Sequence, residues 1–253
     1  MSTNLLIGYP LISNYALLGT TTTAATDFEA ANLFNAPRSE HFKIASAATT
    51  SQVDIDFGSN VAPDFYCIMR ADLIRKNDSA DSNIDLIGSD SSSFSSPSTY
   101  TATLTNARLV GPNNEDFIEF PSSAASKRYW RLKITTTASF KHEYSKFAFG
   151  VALDLSRDPL YPRKLSRKTE GVFSRKANYT IDLNWAGITD ANRKIFDDNI
   201  ETFQDTMPVY LFTKDYHDLL NEHKIIQCNI SKSEWQPIGL GLNNLSCRFE
   251  ETI

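Results

Sequence analysis

Alternation of apolar and polar residues runs through much of the chain. Between Val53 and Phe57 every second residue is apolar, and Gly58 follows as a turn residue. The segment Asn178–Trp185 alternates in the same way. A period of two is typical of a β-strand with one buried face, so both segments are predicted as strands. The other predicted strands are 65–74, 83–88, 100–104, 117–120, 129–134, 209–212, 225–230 and 245–249.

One segment has helical spacing instead. Its apolar positions recur three and four residues apart, at Ile195, Phe196, Ile200 and Phe203. Thr189 precedes them as a candidate N-cap, with Asp190 in the first turn. The pattern predicts a helix over 190–204, ended by Met207 and Pro208. A second, short helix is predicted over 216–222.

The composition and residue pattern of the chain change between Phe147 and Pro162, a segment that we call the seam. Before this seam lie short strands and the Ser-rich segment Ser89–Thr105, which is predicted as a surface loop leading into a strand. After it come a basic stretch, the helix and further strands. The sequence therefore predicts a mainly β protein of two domains, a β-sandwich at 1–150 and an α+β domain at 151–253.

Composition and charge reduce the number of functional classes to which the protein could belong. The 253 residues are 41% hydrophobic, enough for packed cores, and the net charge is −5. Phosphate binding needs a positive surface, so a protein that coats nucleic acid is not expected. We found neither a signal-peptide pattern nor an apolar run of membrane-spanning length, which favours assembly in a cytoplasm without membrane insertion. Three cysteines without CxxC spacing, Cys67, Cys228 and Cys247, are predicted as reduced core residues.

No constellation in the sequence indicates catalysis. The densest group of potential metal ligands is His217, Asp218, Glu222 and His223. Its histidines are six residues apart, about 600° around a helix, so they point to different sides and no metal site is predicted. Nucleophile-elbow, Walker and dinucleotide-binding patterns are missing. We therefore expect no catalytic residues, no cofactor and no enzymatic activity.

Two sets of residues are candidates for binding. Aromatic residues in polar segments could stack on a sugar ring or simply anchor loops, and these are Phe94, Tyr100 and Trp235. Basic residues after the seam could meet an acidic neighbour or form a solvated face, and these are Arg163, Lys164, Arg167, Lys168, Arg175 and Lys176.

The chain also resembles known families. Three segments, Asn32–Ser46 (NLFNAPRSEHFKIAS), Val53–Gly58 (VDIDFG) and Arg128–Ile134 (RYWRLKI), are similar to discoidin-like, galactose-binding-like jelly rolls. From the seam onward the basic stretch, the strand to Trp185, the helix and MPVYLFT look like tail-tip and baseplate proteins of long-tailed bacteriophages. In such proteins a discoidin-like module is often followed by a hub-type split β-barrel. The combined resemblance covers most of residues 30–253.

The resemblance implies a structural role. Such a chain would form or decorate a ring at the distal end of the phage tail tube, as a homo-oligomer in contact with other tail proteins. It would be assembled in the host cytoplasm and found in the virion. The alternative is a virion adhesion module that binds a host surface glycan. A third possibility, a glycan hydrolase, is not expected, and the resemblance transfers no catalytic or sugar-binding residues.

Overall fold

The computed structural model describes most of the chain. The described residues are 5–10, 16–19, 23–34, 41–69, 82–104, 116–121, 123–157, 159–160, 164–169, 177–200, 208–213 and 225–251. The strands, in chain order, are β1 Leu5–Pro10, β2 Ala16–Gly19, β3 Phe42–Lys43, β4 Ala48–Val61, β5 Phe65–Met69, β6 Ser82–Ser89, β7 Ser98–Leu104, β8 Phe117–Glu119, β9 Lys127–Phe140, β10 Glu143–Tyr144, β11 Lys146–Leu153, β12 Lys164–Thr169, β13 Ala177–Thr189, β14 Val209–Thr213, β15 Ile225–Gly239 and β16 Leu242–Glu251. A 3₁₀ helix covers Ala30–Leu33, and the helix α1 covers Asp190–Asn199.

The chain divides into two compact units. Pro10–Val151 forms the N-terminal unit, and Ala152–Ile253 together with Met1–Tyr9 forms the C-terminal unit. The first residues therefore belong to the C-terminal unit, whereas the sequence predicted them in the N-terminal domain. The reason is strand pairing, since β1 runs antiparallel to β14 with Ile7 opposite Leu211, and both side chains are buried. No alternation within residues 1–9 could reveal a partner so far along the chain.

The N-terminal unit is a β-sandwich. One antiparallel sheet has the strand order β2-β4-β9-β6-β7, and a second set of strands has the order β11-β5-β8. Both contribute to one buried cluster, because alternate residues of each strand point into the same core. The aromatic members of that cluster are Phe42, Phe57, Tyr66, Phe117, Trp130, Tyr144, Phe147 and Phe149.

The C-terminal unit combines a sheet with one described helix. Its antiparallel strands have the order β12-β13-β16-β15-β14-β1. The core includes Ile7, Leu183, Trp185, Phe196, Ile200, Ile230, Leu245 and Phe249. Thr189 caps α1, since its Oγ1 accepts a hydrogen bond from the backbone N–H of Asn192 at 3.2 Å.

The predicted fold class, mainly β with an N-terminal sandwich and an α+β C-terminal part, is confirmed. Each predicted strand overlaps an observed one, and all three cysteines are buried, as predicted. The helix is shorter than predicted in the described residues, ending at Asn199, and residues 201–207 lie outside them. Its apolar face is also narrower, because Phe196 is buried whereas Ile195 is exposed. The short helix predicted over 216–222 lies outside the described residues.

Candidate functional site

Phe94 serves as a loop anchor in the structure. It lies between β6 and β7 with a φ of 54°, and only 7% of it is exposed. The guanidinium carbon of Arg131 sits 3.9 Å from the centre of its ring. Asp54 holds that guanidinium with two hydrogen bonds of 2.7 and 2.8 Å. A fixed arginine therefore covers one face of this ring, and a role of Phe94 in glycan contact stays a prediction.

Tyr100 fastens a second loop of the N-terminal unit. Its hydroxyl accepts a hydrogen bond from the backbone N–H of Ala125, and its ring stacks on Trp130 with 6.3 Å between centroids. One face of Tyr100 is thus occupied by the core. Its role as an anchor is visible, whereas its role in glycan contact stays a prediction.

Trp235 belongs to the other unit. On β15 it packs edge-on against Phe196, and its Nε1 donates to Oδ1 of Asp197 at 2.8 Å. These contacts fasten the β15–β16 hairpin to α1. Phe94 and Tyr100 lie in the N-terminal unit and Trp235 in the C-terminal unit, so no single unit contains all three.

The predicted basic residues fall partly within the described chain. Lys164, Arg167 and Lys168 lie on β12, the terminal strand in the order of the C-terminal sheet. Lys164 is in register with Asp182 of β13. The other three, Arg163, Arg175 and Lys176, lie outside the described residues. Their role in assembly stays a prediction.

A different group of side chains forms a recognisable surface site. Strands β3 and β10 pair antiparallel, with Lys43 opposite Glu143 and Phe42 opposite Tyr144. Because side chains alternate along a strand, the buried rings of Phe42 and Tyr144 leave Lys43 and Glu143 on the outer side. With Phe28 and His41, these two residues form what we call the Phe28 cluster.

The cluster combines a carboxylate, an ammonium group, an imidazole and an aromatic ring. Glu143 Oε1 lies 3.1 Å from His41 Nε2, and Glu143 Oε2 lies 2.9 Å from Lys43 Nζ. The Phe28 ring centre lies 4.5 Å from the centre of the imidazole and 5.5 Å from Lys43 Nζ. The three polar side chains are 27–30% exposed, so each is packed on one side and open to water on another.

Hydrogen bonds to backbone carbonyls hold the cluster in place. The N–H of Lys43 donates to the carbonyl of Phe28 at 3.2 Å. Asn32 Nδ2 donates to the carbonyl of His41 at 3.1 Å, and the carbonyl of Asn32 accepts from the buried ammonium of Lys146 at 2.9 Å. The site is therefore built on fixed backbone, as a preorganised binding surface requires.

The sequence contained a weak signal for this cluster. His41-Phe42-Lys43 and Glu143-Tyr144 both place polar residues around a buried aromatic one. The two segments are far apart in the chain, and β3 and β10 are only two residues long. Their pairing could not be deduced from so short an alternation, and sequence reasoning missed the site.

Ser51 and His142 make a second contact that the sequence did not reveal. Ser51 Oγ lies 2.8 Å from Nδ1 of His142, and Thr136 Oγ1 lies 3.1 Å from Nε2. A serine and a histidine at this distance can form a nucleophile and its base. Ser51 and His142 are both fully buried, however, so no substrate reaches them and the contact belongs to the core.

The described part of the chain holds no cluster of three or more His, Cys, Asp or Glu side chains placed to bind a metal ion. Within that same part, no helix has the length and apolar character needed to cross a membrane.

Comparisons with known proteins give matches among solved structures alone. No protein-family model and no curated protein matches the sequence. A fucosidase of Ruminococcus gnavus in complex with fucose matches with a TM-score of 0.44 and 10% identity, over 57% of this chain and 27% of the fucosidase. The chitosan-binding module 1 of a chitosanase/glucanase from Paenibacillus sp. IK-5 matches with a TM-score of 0.42 and 16% identity, over 56% of this chain and 98% of the module. A CBM32 module produced by Clostridium perfringens matches with a TM-score of 0.38 and 11% identity, over 56% of this chain and 98% of that one.

Proposed function

We propose that the N-terminal unit binds carbohydrate through the Phe28 cluster, without turning it over. The observation that carries the proposal is the partly exposed set of Phe28, His41, Lys43 and Glu143 on fixed backbone. It supports the alternative of a glycan-binding adhesion module, at residues different from those that the sequence suggested.

The chemistry of the cluster matches that of a sugar. A carboxylate accepts hydrogen bonds from neighbouring hydroxyls, an ammonium donates to hydroxyl and ring oxygens, and an aromatic ring offers an apolar surface to sugar C–H groups. Glu143 pairs with the ammonium of Lys43 and also contacts the imidazole of His41, so the cluster has no large excess of either charge. This balance favours a neutral sugar over a polyanion, which would need a basic surface.

A glycan array followed by calorimetric titration tests the proposal. We expect a neutral sugar to bind the full chain, and Phe28→Ala and Glu143→Gln each to weaken binding about tenfold or more, equivalent to about 1.4 kcal/mol. Tyr129→Ala is the matched control, because Tyr129 is a half-buried aromatic residue on β9 that contacts Arg128 and lies outside the cluster. Loss of binding in the control alone, or equal binding by all variants, would refute the assignment.

A second role concerns the C-terminal unit. We propose that it places the chain in the tail tip or baseplate of a long-tailed phage, as a structural virion protein in a ring. The sequence resemblance supports this role, as does the two-unit architecture with basic residues on the terminal strand β12. Immunogold labelling of purified virions tests it. Labelling at the distal end of the tail is expected, and particles without the protein would exclude the role.

A further inference from the structure

Lys146 is a buried lysine close to the Phe28 cluster in the chain. It lies on β11, three residues after Glu143, and only 1% of it is exposed. Burial removes an ammonium group from water, which costs free energy unless protein oxygens replace that water. A methionine would fill similar space without this cost, so packing alone does not explain a lysine at this position.

The ammonium of Lys146 binds the end of a short helix. Its Nζ donates a hydrogen bond of 2.9 Å to the carbonyl of Asn32, which belongs to the 3₁₀ helix Ala30–Leu33. Carbonyls in the last turn of a helix lack a partner within the helix, and a lysine can satisfy them. The hydrogen bond therefore joins β11, which follows β10 and its Glu143, to the segment that contains Phe28.

The side chain of Asn32 connects this helix to two parts of the cluster. Its Nδ2 donates to the carbonyl of His41 at 3.1 Å and to the carbonyl of Asp27 at 3.3 Å. Asp27 has a φ of 67° and is the residue before Phe28. An amide nitrogen carries two hydrogens, so both bonds can form at once. Asn32 thus fixes the segment of the aromatic ring against the segment of the imidazole.

We infer that Lys146 is a positioning residue of the Phe28 cluster, which acts through Asn32 and touches no ligand. Its burial keeps it from contact with a sugar, whereas its ammonium holds the 27–34 segment at a set position relative to Glu143. Removal of the ammonium would free this segment, and the conformational entropy then lost on binding would lower affinity. Its effect on carbohydrate affinity rests on the proposed function.

Calorimetric titration of the full chain with the sugar selected by the array tests the effect on binding. Lys146→Met keeps a side chain of similar length but removes the donor, and we expect about tenfold weaker binding. The Tm should stay close to that of the wild type, because loss of a buried charge offsets the lost hydrogen bond. Lys133→Met is the matched control and should bind like the wild type, since Lys133 is a partly exposed lysine on β9 outside the cluster.

Amide hydrogen exchange measured by NMR tests the inference without a sugar. The N–H of Lys43 donates to the carbonyl of Phe28 at 3.2 Å, so its exchange rate reports whether the Phe28 segment is held in place. We expect Lys146→Met to speed this exchange at least tenfold and to leave the amides of β9, the central strand of its sheet, unchanged. A residue that contributed only to overall stability would speed both.

A second variant removes the other half of the connection. Asn32→Ala keeps the carbonyl that Lys146 binds but lacks the Nδ2 donor to His41 and Asp27. We expect it to reproduce both effects, and the double variant to lose little more, because the two residues act through one path. If Lys146→Met does not fold, Asn32→Ala gives the result: loss of affinity with faster Lys43 exchange supports the inference, and wild-type values overturn it.

Three results in a folded Lys146→Met protein would overturn the inference: sugar affinity equal to the wild type, unchanged exchange at Lys43, or exchange raised equally along β9. A different result separates the two proposals. If no sugar binds the wild type but Lys146→Met speeds exchange at Lys43 and not along β9, carbohydrate binding is refuted and the positioning role of Lys146 stands.

Discussion

Gly88 makes a quantitative test of the N-terminal sandwich possible. It lies on β6 directly opposite Trp130 of β9, and the fully buried indole of Trp130 covers it. A Cβ atom added at Gly88 would lie 2.9 Å from Cη2 and 3.0 Å from Cζ3 of that indole, and 3.1 Å from Cγ of Lys127. These distances are shorter than ordinary carbon–carbon contacts of about 3.5–4.0 Å.

Trp130 has little freedom to make room. Its Nε1 donates to the carbonyl of Lys127 at 2.9 Å, and its ring contacts Tyr100 and Phe149 with centroid distances of 6.3 and 5.8 Å. Overpacking of a closed core costs about 1–3 kcal/mol. We therefore expect Gly88→Ala to lower the free energy of unfolding of the N-terminal unit by that amount, or its Tm by about 2–4 °C for each kcal/mol.

Differential scanning calorimetry, with urea unfolding followed by tryptophan fluorescence, measures the effect. Thr99→Ala on β7 is the control, because Thr99 is exposed and its truncation should change the free energy by less than about 0.5 kcal/mol. If Gly88→Ala is as stable as the control, the indole of Trp130 does not pack on Gly88 as described, and the arrangement of the core is wrong.

Two further substitutions test local features of each unit. Thr189→Ala removes the side-chain oxygen that accepts a hydrogen bond from the backbone N–H of Asn192, so thermal unfolding should show the C-terminal unit destabilised by about 1 kcal/mol. Thr189→Ser keeps that oxygen and should retain stability. Equal losses of stability in both variants would show that the cap is not the cause. The hydrogen bonds from Arg128 lower the pKa of Asp56, so this carboxylate stabilises the fold above its unfolded pKa of about 3.9 and loses that effect as the pH falls through its lower folded pKa. We expect Asp56→Asn to reduce the Tm at neutral pH, and only slightly, because the Arg128–Asp56 pair is partly exposed. The difference in Tm from the wild type should shrink on acidification. A difference that grows at low pH would contradict the pairing.

Strands and helix were predictable where the local pattern carries the information. Val53, Ile55 and Phe57 alternate and are buried, and Thr189 caps the helix that its position predicted. The strand depends on side chains that alternate between its two faces, and the helix start depends on one local hydrogen bond. Both are determined by residues that lie close together in the sequence.

Placement of the functional surfaces depended on long-range pairing instead. Phe94 stands in a polar loop, yet its ring is covered by Arg131 of β9, which Asp54 of β4 holds in place. The Phe28 cluster exists because β3 meets β10. Both facts follow from contacts between segments that are far apart in the chain. The pattern of residues within any one short segment does not reveal such contacts.

The central claim is that carbohydrate binds at the Phe28 cluster, and a crystal structure of the full chain with the sugar selected by the array tests it most directly. The account predicts a sugar ring against Phe28, with hydroxyls hydrogen-bonded to Glu143 and Lys43. Density for the sugar at any other surface, or failure of every sugar to bind the protein, would contradict it.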